Sequence, residues 1–396
     1  MRQTHNLGRV PILSHGFRPF FLGGALWAAL AMPLWLGLIT GNLDFAVSYG
    51  AVAWHAHEFL FGYVAAIVTG FLLTAIPNWT GRLPLRGGVL LALFAVWAAG
   101  RGALLAVDVI GFIPAAIIDS CFLLTFAVMV LREIIAGHDW RNAKVAALVT
   151  LLAAANILFH VEVFVAGGPD YALRAGIATI VGLIMLIGGR ITPSFTRNWL
   201  VKQGSNRLPT PFGRFDMVAL GAAGIALLLW TALPEAPGTG IACLVAGVLH
   251  GLRLSRWASM STWREPLVLI LHVGYVFVPL GFLLVGFSIR WPSVVSTSAA
   301  LHSWTAGTIG VMTLAVMTRA SLGHSGRELV ATRGTQMIYV AAILAALSRI
   351  GAPLLPGFSQ TTLTLAAVAW TVAFAGFVLL YGPMLLRPRR ASGKDA

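Results

Sequence analysis

Charged residues are scarce in this sequence, and their scarcity decides the class of protein. Asp, Glu, Lys and Arg together make up 10% of the 396 residues, while hydrophobic residues make up 58%. A water-soluble globular domain carries about 25% charged residues. The composition therefore excludes a soluble globular protein and predicts an all-α, polytopic integral membrane protein.

Cysteine is almost absent, with only Cys121 and Cys243 in the sequence. Both lie in apolar runs, where cysteine behaves as a small hydrophobic residue. We therefore predict no disulfide. The sequence also lacks a Cys-x-x-Cys-His motif, which excludes a covalently attached c-type haem. Any haem would have to be held non-covalently, through histidine nitrogens.

Long apolar stretches fill most of the sequence. A helix needs roughly 17–25 apolar residues to cross a bilayer. Twelve stretches meet this requirement, at about 19–40, 51–76, 88–107, 110–131, 143–166, 172–190, 215–233, 239–257, 265–287, 294–318, 335–351 and 361–386. The residues before the first stretch are polar and basic, so we expect no removable signal peptide.

We treat residues 1–396 as a single transmembrane domain, because no segment outside the apolar stretches is long enough to form a core of its own. The longest break, residues 192–213, is basic and contains proline. Twelve helices would permit two six-helix halves, 1–191 and 214–396, joined by this loop.

Acidic residues are fewer than basic ones, 13 against 27, which gives a net charge of +14. Lysine and arginine accumulate on the cytoplasmic flanks of membrane helices. With the N-terminus in the cytoplasm, all basic residues fall on the cytoplasmic side except Arg101, Arg174, Arg290 and Arg349. The charge pattern thus predicts cytoplasmic N- and C-termini, and we do not interpret it as nucleic-acid binding.

Against this apolar background, histidines within the predicted spans stand out. Ionisable side chains in a membrane are costly and indicate a functional site. The segment Trp54–Glu58 contains two histidines and a glutamate at the start of the second span. Imidazole suits copper and iron. Histidines at similar depths near the outer face are the predicted metal ligands: His55, His57, His160 and His302.

Helix geometry limits the part that each residue of this segment can play. Residues two apart lie about 200° apart around an α-helix, so His55 and His57 cannot bind one ion side by side. We expect one of them to be a ligand and Glu58 to act as a hydrogen-bond acceptor or proton-carrying group. His57 and Glu58 are the predicted catalytic residues.

A second set of residues lies toward the cytoplasmic face and is predicted to bind a cofactor. Its histidines are His15, His250, His272 and His324. Guanidinium groups suit carboxylates such as haem propionates, and the candidates are Arg18, Arg190 and Arg319. The alternative for each histidine is an interhelical hydrogen bond, and for each arginine an ordinary cytoplasmic anchor.

Five separated motifs occur in order along the sequence: Gly16–Phe21; Trp54–Glu58 with Phe61 and Gly62; Pro77–Gly81; Gly189–Arg190 with Pro193 and Phe195–Asn198; and Thr318–Arg319 with Ser321–Arg327. Together they resemble the NnrS family over residues from about 12 to about 330. These are polytopic proteins associated with bacterial nitric oxide metabolism and described as containing haem and copper.

The resemblance implies a multi-pass protein of the bacterial inner membrane that holds copper and a non-covalent, b-type haem and relieves nitrosative stress. Nitric oxide would be its small-molecule ligand. The sequence contains no cytochrome or iron–sulfur motif, so a redox reaction would need electrons from quinol or another donor. Whether the protein is an enzyme stays open at this point, and the sequence indicates no oligomeric state.

Two other functions are compatible with the sequence. Twelve spans are also the layout of many secondary transporters, which suggests an exporter of a metal, haem or a nitrosyl complex. Such a carrier would bind its substrate near the membrane midplane, often at interrupted helices. A sensor or assembly factor that passes metal to another protein is the third alternative.

Overall fold

Twelve long helices form the membrane-spanning part of the protein. A computed structural model describes residues 7, 8 and 10–389, and each of these helices has at least 18 residues and an apolar window. They are α1 (Phe17–Ile39), α2 (Ala51–Thr80), α3 (Gly88–Leu105), α4 (Phe112–Ala136), α5 (Trp140–Ala166), α6 (Tyr171–Lys202), α7 (Arg214–Ala232), α8 (Pro237–Ser255), α9 (Pro266–Arg290), α10 (Thr297–His324), α11 (Arg333–Gly351) and α12 (Pro356–Leu385). No strand occurs within the described ranges. The predicted all-α fold with twelve spans is confirmed.

An even number of crossings places the start of α1 and the end of α12 on the same side of the membrane, which we call the Phe17 side. Even-numbered helices end on this side, and odd-numbered helices begin on it. Four basic residues that the charge pattern assigns to the cytoplasm, Arg2, Arg9, Arg390 and Lys394, lie outside the described residues. The cytoplasmic position of both termini stays a prediction.

Local sequence explains several helix boundaries. Pro237 and Pro266 begin α8 and α9, where the missing N–H of proline costs nothing and its φ angle suits the first turn. Gly81 and Gly167 follow α2 and α5 with φ of 70° and 77°. Glycine adopts this left-handed conformation without steric cost, and it therefore terminates these helices.

The sixth span is longer than the sequence predicts, because α6 continues to Lys202 and not to residue 190. Pro193 lies inside the helix and cannot donate a hydrogen bond to the carbonyl of Gly189, four residues earlier. Arg253 of α8 lies against that carbonyl, with Nη2 3.5 Å from the oxygen, and donates to the Met185 carbonyl at 3.2 Å. These contacts allow the helix to continue, so the break before α7 covers residues 203–213 and not 192–213.

The tenth span also extends further than predicted, from Thr297 to His324 and not to residue 318. His324, expected in a cytoplasmic segment, is therefore the last residue of α10. The polar residues Arg319 and Ser321 lower the hydropathy of this end, but polarity does not by itself end a helix. The chain leaves the helical path at Gly326, whose φ is 70°.

Three spans contain a turn or more of π-helix: Glu58–Val64 in α2, Ile184–Gly188 in α6 and Ser303–Val311 in α10. A π-helical turn widens the helix and frees backbone carbonyls, and it occurs frequently at functional sites. In α2 the carbonyl of Gly62 accepts a hydrogen bond from Nε1 of Trp97 at 2.9 Å. The segment in α2 begins within the predicted metal-binding motif.

The described chain forms two compact units. The first contains α1–α5, the start of α6 as far as Thr179, residues 320–328 and the chain from Phe374 onward; the second contains Ile180–Arg319 and Leu329–Ala373. In the first unit α4 packs against α3 and α5, and α1 packs against α2. In the second, α8 packs against α7 and α9, and the π-helix of α10 packs against α9 and α11. The two predicted six-helix halves stay a prediction.

Asp108, between α3 and α4, fixes the loop before α2. Its carboxylate accepts hydrogen bonds from the backbone N–H groups of Val47 and Ser48 at 2.7 and 3.0 Å and from the Ser48 hydroxyl at 2.6 Å. Slight burial acts to raise the pKa of Asp108, but these hydrogen bonds outweigh it and hold the pKa below its usual value.

This shift predicts how the loop responds to pH. A depressed folded-state pKa stabilises the folded loop above the ordinary carboxyl pKa, and the stabilisation is lost as the pH falls through the folded-state value. We expect residues 40–50 to become more accessible to protease on acidification, and the Asp108→Asn variant to be more accessible already at neutral pH. Equal cleavage of both proteins at neutral pH would contradict this role.

Candidate metal site

The first unit contains a buried polar cluster in which His57 and Glu58 are central. The α-helical part of α2 ends at His57 and the π-helix begins at Glu58. Both side chains are fully buried, at 0% exposure. Since charged groups in a membrane interior require partners, the contacts of these two residues indicate what the cluster can do.

Four neighbouring helices supply the members of the cluster. These are His57 and Glu58 of α2, Arg101 of α3, Asp119 of α4, and Asn156 and His160 of α5, all at most 4% exposed. With a rise of about 1.5 Å per residue, they lie roughly 6–15 Å from the helix ends opposite the Phe17 side. The cluster is therefore a single layer on one side of the membrane.

Three ligand atoms converge at its centre. Nε2 of His57 lies 3.2 Å from Oδ2 of Asp119, and Nε2 of His160 lies 2.9 Å from the same oxygen. One ligand atom from each residue lies within 4.8 Å of the others. Two imidazoles and a carboxylate form a donor set that suits transition-metal ions such as iron, copper and zinc. The group could thus bind a metal ion.

The remaining ring nitrogens have partners that orient the two histidines. Nδ1 of His57 lies 3.1 Å from Oε1 of Glu58, and Nδ1 of His160 lies 3.1 Å from the hydroxyl of Tyr49. Metal-binding histidines usually use one nitrogen for the metal and the other for such a partner, which fixes the orientation of the ring. Both histidines therefore have the surroundings of ligands, with Nε2 directed at the carboxylate of Asp119.

Arg101 pairs with both carboxylates of the cluster. Its Nη1 donates to the two oxygens of Glu58 at 3.0 and 2.9 Å, and its Nη2 donates to Asp119. With neutral imidazoles, two carboxylates and one guanidinium leave a net charge of −1. A buried net charge is costly, so the cluster favours an added cation, either a proton or a metal ion.

Asn156 connects His57 and Asp119. Its Oδ1 lies 2.9 Å from Nε2 of His57, and its Nδ2 donates to Oδ2 of Asp119 at 2.9 Å. The amide oxygen is a further potential ligand beside the two imidazoles. Because every member has a hydrogen-bond partner, the cluster is held in one arrangement before any ion binds.

Tyr49 closes the cluster on the side opposite Phe17. Its ring is 2% exposed and stacks on Phe112, with ring centres 5.4 Å apart. Burial, and then the negative charges of Asp119 and Glu58, raise the pKa of Tyr49 well above its usual value. The phenol therefore stays protonated at neutral pH and remains available for the hydrogen bond with His160.

The space for the Arg101 guanidinium depends on Gly62. A Cβ atom at this position would lie 2.2 Å from Nη1 of Arg101, whereas a Cβ at Gly102 would meet nothing within 4 Å. We expect Gly62→Ala to displace the guanidinium and to lower both the unfolding temperature and the metal affinity. Gly102→Ala is the matched control and should resemble the wild type in both measurements. Equal unfolding temperatures and equal metal affinities of the two variants would show that the packing of Arg101 against Gly62 contributes to neither.

A comparison with protein families identifies the chain. The model of a family described as NnrS protein matches residues 11–389, nearly the whole chain. The chain belongs to the NnrS family. No curated protein matches it.

In this NnrS family member, two of the four predicted metal ligands, His57 and His160, are members of the buried cluster. His57 and His160 face each other in the cluster, with ring centres 4.8 Å apart. The ring of His55 instead packs against Trp35 at 4.2 Å, as the 200° separation from His57 implies. His302 belongs to the second unit, where its Nδ1 lies 2.8 Å from the Ser298 carbonyl.

The histidines predicted to bind a cofactor occupy two places. In the first unit the rings of His15 and His324 lie 6.1 and 5.5 Å from the ring of Phe17. Burial, and then the nearby cationic groups headed by Arg18, lower the pKa of His15. In the second unit, Nδ1 of His250 lies 3.2 Å from the Tyr275 hydroxyl, and Nε2 of His272 lies 2.8 Å from the Thr196 hydroxyl.

The three predicted arginines have different surroundings. Arg18 is buried, and its Nη1 donates to the carbonyls of Leu385 and Arg387 at 2.8 and 2.6 Å. This guanidinium therefore connects the start of α1 to the end of α12. Arg190 is exposed. The guanidinium of Arg319 lies over the ring of Phe195 at 4.2 Å.

Two charged members of the cluster, Asp119 and Arg101, were missed at the level of sequence. The charge pattern counted Arg101 only as one of four basic residues that are not on the cytoplasmic side, whereas it is 4% exposed within α3 and paired with two carboxylates. Asp119 could have been recognised as a candidate from the sequence, because it is an acidic residue inside an apolar run and the sequence has only 13 acidic residues. An ionisable residue of either sign at membrane depth indicates a site.

Proposed function

We propose that this protein is a haem- and copper-binding protein of bacterial nitric oxide metabolism that relieves nitrosative stress. The observation that supports it best is the convergence of His57, His160 and Asp119 in a buried layer of an NnrS family membrane protein. We further propose a bacterial inner-membrane location with both termini in the cytoplasm. In this proposal the protein is surrounded by membrane lipid, and nitric oxide is its small-molecule ligand.

Copper fits the donor set of the cluster, since imidazole nitrogens bind copper well. In this proposal Nε2 of His57 and of His160 and one oxygen of Asp119 hold the metal. Bound copper supplies a one-electron centre at which nitric oxide can bind. Glu58 orients His57 and serves as the proton acceptor, while Tyr49 orients His160 and excludes water. Electrons for a redox reaction would come from quinol or another donor.

The haem proposal concerns other residues. His250 and His272 are buried, and each has one ring nitrogen in a hydrogen bond while the other, Nε2 and Nδ1 respectively, has no partner among the described residues. A nitrogen of this kind fits an axial haem ligand. His15 and His324 beside Phe17 are the alternative pair. Of the three predicted arginines, Arg18 and Arg190 are proposed for the propionates, whereas the surroundings of Arg319 favour another anionic ligand.

The test is an optical and metal analysis of the purified protein in detergent. We expect a b-type haem spectrum, copper bound per chain, and a shift of the spectrum with nitric oxide. His57→Ala should lose copper and keep the haem band, because the two groups use different residues. A colourless, metal-free protein that stays so after reconstitution with copper and haem would refute the proposal.

A secondary transporter is the second candidate, and the π-helical interruptions of α2, α6 and α10 favour it. Carriers often bind substrate at interrupted helices. This alternative predicts flux of copper or haem across proteoliposomes that contain the protein, with no stoichiometric haem in the purified protein. Retention of bound copper and haem without flux would exclude it.

A further inference from the structure

Arg319, in the second unit, has an unusual set of contacts. Its guanidinium carbon lies 4.2 Å from the centre of the Phe195 ring. Among the described residues it donates no hydrogen bond and belongs to no ion pair, although it is only partly exposed. A guanidinium has five N–H donors in a rigid plane that matches carboxylate and phosphate groups. The Phe195 ring orients the guanidinium plane, and no acceptor for its N–H groups occurs among the described residues.

Glu265 lies near Arg319 and is also incompletely paired. The two side chains interact electrostatically without forming an ion pair. Oε1 of Glu265 is buried and has no hydrogen-bond partner within the described ranges. Burial raises the pKa of Glu265, an effect that the Leu267 N–H and Arg319 oppose. Burial thus disfavours a negative charge on Glu265 beside the guanidinium.

These side chains lie toward one end of the membrane-spanning helices. Phe195 and Arg319 lie near the ends of α6 and α10, and Glu265 immediately precedes α9, so all three are on the Phe17 side. The segment just before Glu265 exposes Met260 and Trp263, at 81% and 64%. Tryptophan concentrates at the level of the lipid headgroups. Arg319 lies about 8 Å from the end of α10, and an arginine side chain near a helix end can extend to the level of the lipid phosphates.

We propose that Arg319 and Phe195 form a binding site for the phosphate group of an anionic phospholipid. The guanidinium binds two phosphate oxygens, and the Phe195 ring holds the guanidinium plane. The positive charge of the guanidinium favours a lipid with a net negative charge over a zwitterionic one. The site is independent of the metal cluster of the first unit.

The test uses the full protein in an uncharged detergent, with short-chain phosphatidylglycerol, short-chain phosphatidylcholine and inorganic phosphate as probes. Bound lipid is counted by native mass spectrometry, and affinity is taken from the shift of the unfolding temperature. We expect wild type to bind phosphatidylglycerol, and Arg319→Gln to bind it at least about tenfold more weakly, the size of a charged hydrogen bond to phosphate. Arg319→Lys keeps the charge without the fork and should fall between the two.

Arg333→Gln is the matched control, because Arg333 is an exposed arginine at the start of α11 on the same side. It removes the same charge and should bind phosphatidylglycerol like wild type. The proposal is overturned if both glutamine variants bind equally, or if inorganic phosphate binds as well as the lipid. It is also overturned if Arg319→Gln leaves lipid binding intact and lowers haem content, which would assign Arg319 to a haem propionate.

Discussion

Replacing His57 or His160 by alanine is expected to remove the bound metal, whereas replacing His55 leaves it in place. Both ring Nε2 atoms point to Oδ2 of Asp119, while the His55 ring packs against Trp35. Loss of an outer partner of a ligand typically lowers metal affinity about 10–100-fold, so loss of a ligand should lower it by at least about 100-fold. The measurement is a copper titration of metal-depleted protein in detergent.

His55→Ala is a stringent control, because it removes an imidazole two residues from His57 in the same helix. Glu58→Gln should fall between control and ligand variants, with a loss of about 10–100-fold, since Glu58 acts through His57. Equal losses for His55→Ala and His57→Ala would mean that the cluster is not the site of binding.

Arg101→Met is expected to be the most destabilising substitution in the first unit. It leaves the buried carboxylates of Glu58 and Asp119 without their guanidinium partner, and breaking a buried ion pair in this way costs about 3–5 kcal/mol in free energy of unfolding. Arg101→Lys should lose less, since it keeps the charge but cannot contact both carboxylates in the same geometry. The measurement is denaturant unfolding of the metal-free protein in mixed micelles.

The matched control for Arg101 is Arg82, whose ion pair with Glu133 is 39% and 31% exposed. Exposed pairs contribute about 0–1 kcal/mol, so Arg82→Met should have little effect. Adding Glu58→Gln to Arg101→Met should recover part of the lost stability, because one uncompensated charge is removed. Equal stabilities of Arg101→Met and Arg82→Met would contradict the network described here.

The sequence was sufficient for the membrane class and the number of spans, because both depend on composition and on the length of apolar runs. It was less accurate at the ends of α6 and α10. A proline inside α6 and polar residues at the end of α10 look like helix ends, while the contacts of Arg253 with carbonyls of α6 exist only in the folded protein.

Among the members of the buried cluster, the sequence singled out His57, Glu58 and His160, since histidines inside apolar runs are rare and helix periodicity separates His57 from His55. Their roles at a metal stay predictions. The sequence could not identify the helices that are neighbours, and it therefore grouped His302 with His57 and missed Asp119. Depth along a helix can be counted from its end, but contact between α2, α4 and α5 depends on tertiary packing.

X-ray absorption spectroscopy of the copper-loaded protein reports the ligands of the metal itself. We expect two imidazole nitrogens and at least one oxygen at about 2.0–2.2 Å, distances typical of such ligands. In His160→Ala we expect loss of one imidazole contribution, or of the whole signal. A sulfur ligand, or a spectrum unchanged in both His57→Ala and His160→Ala, would show that the metal lies elsewhere.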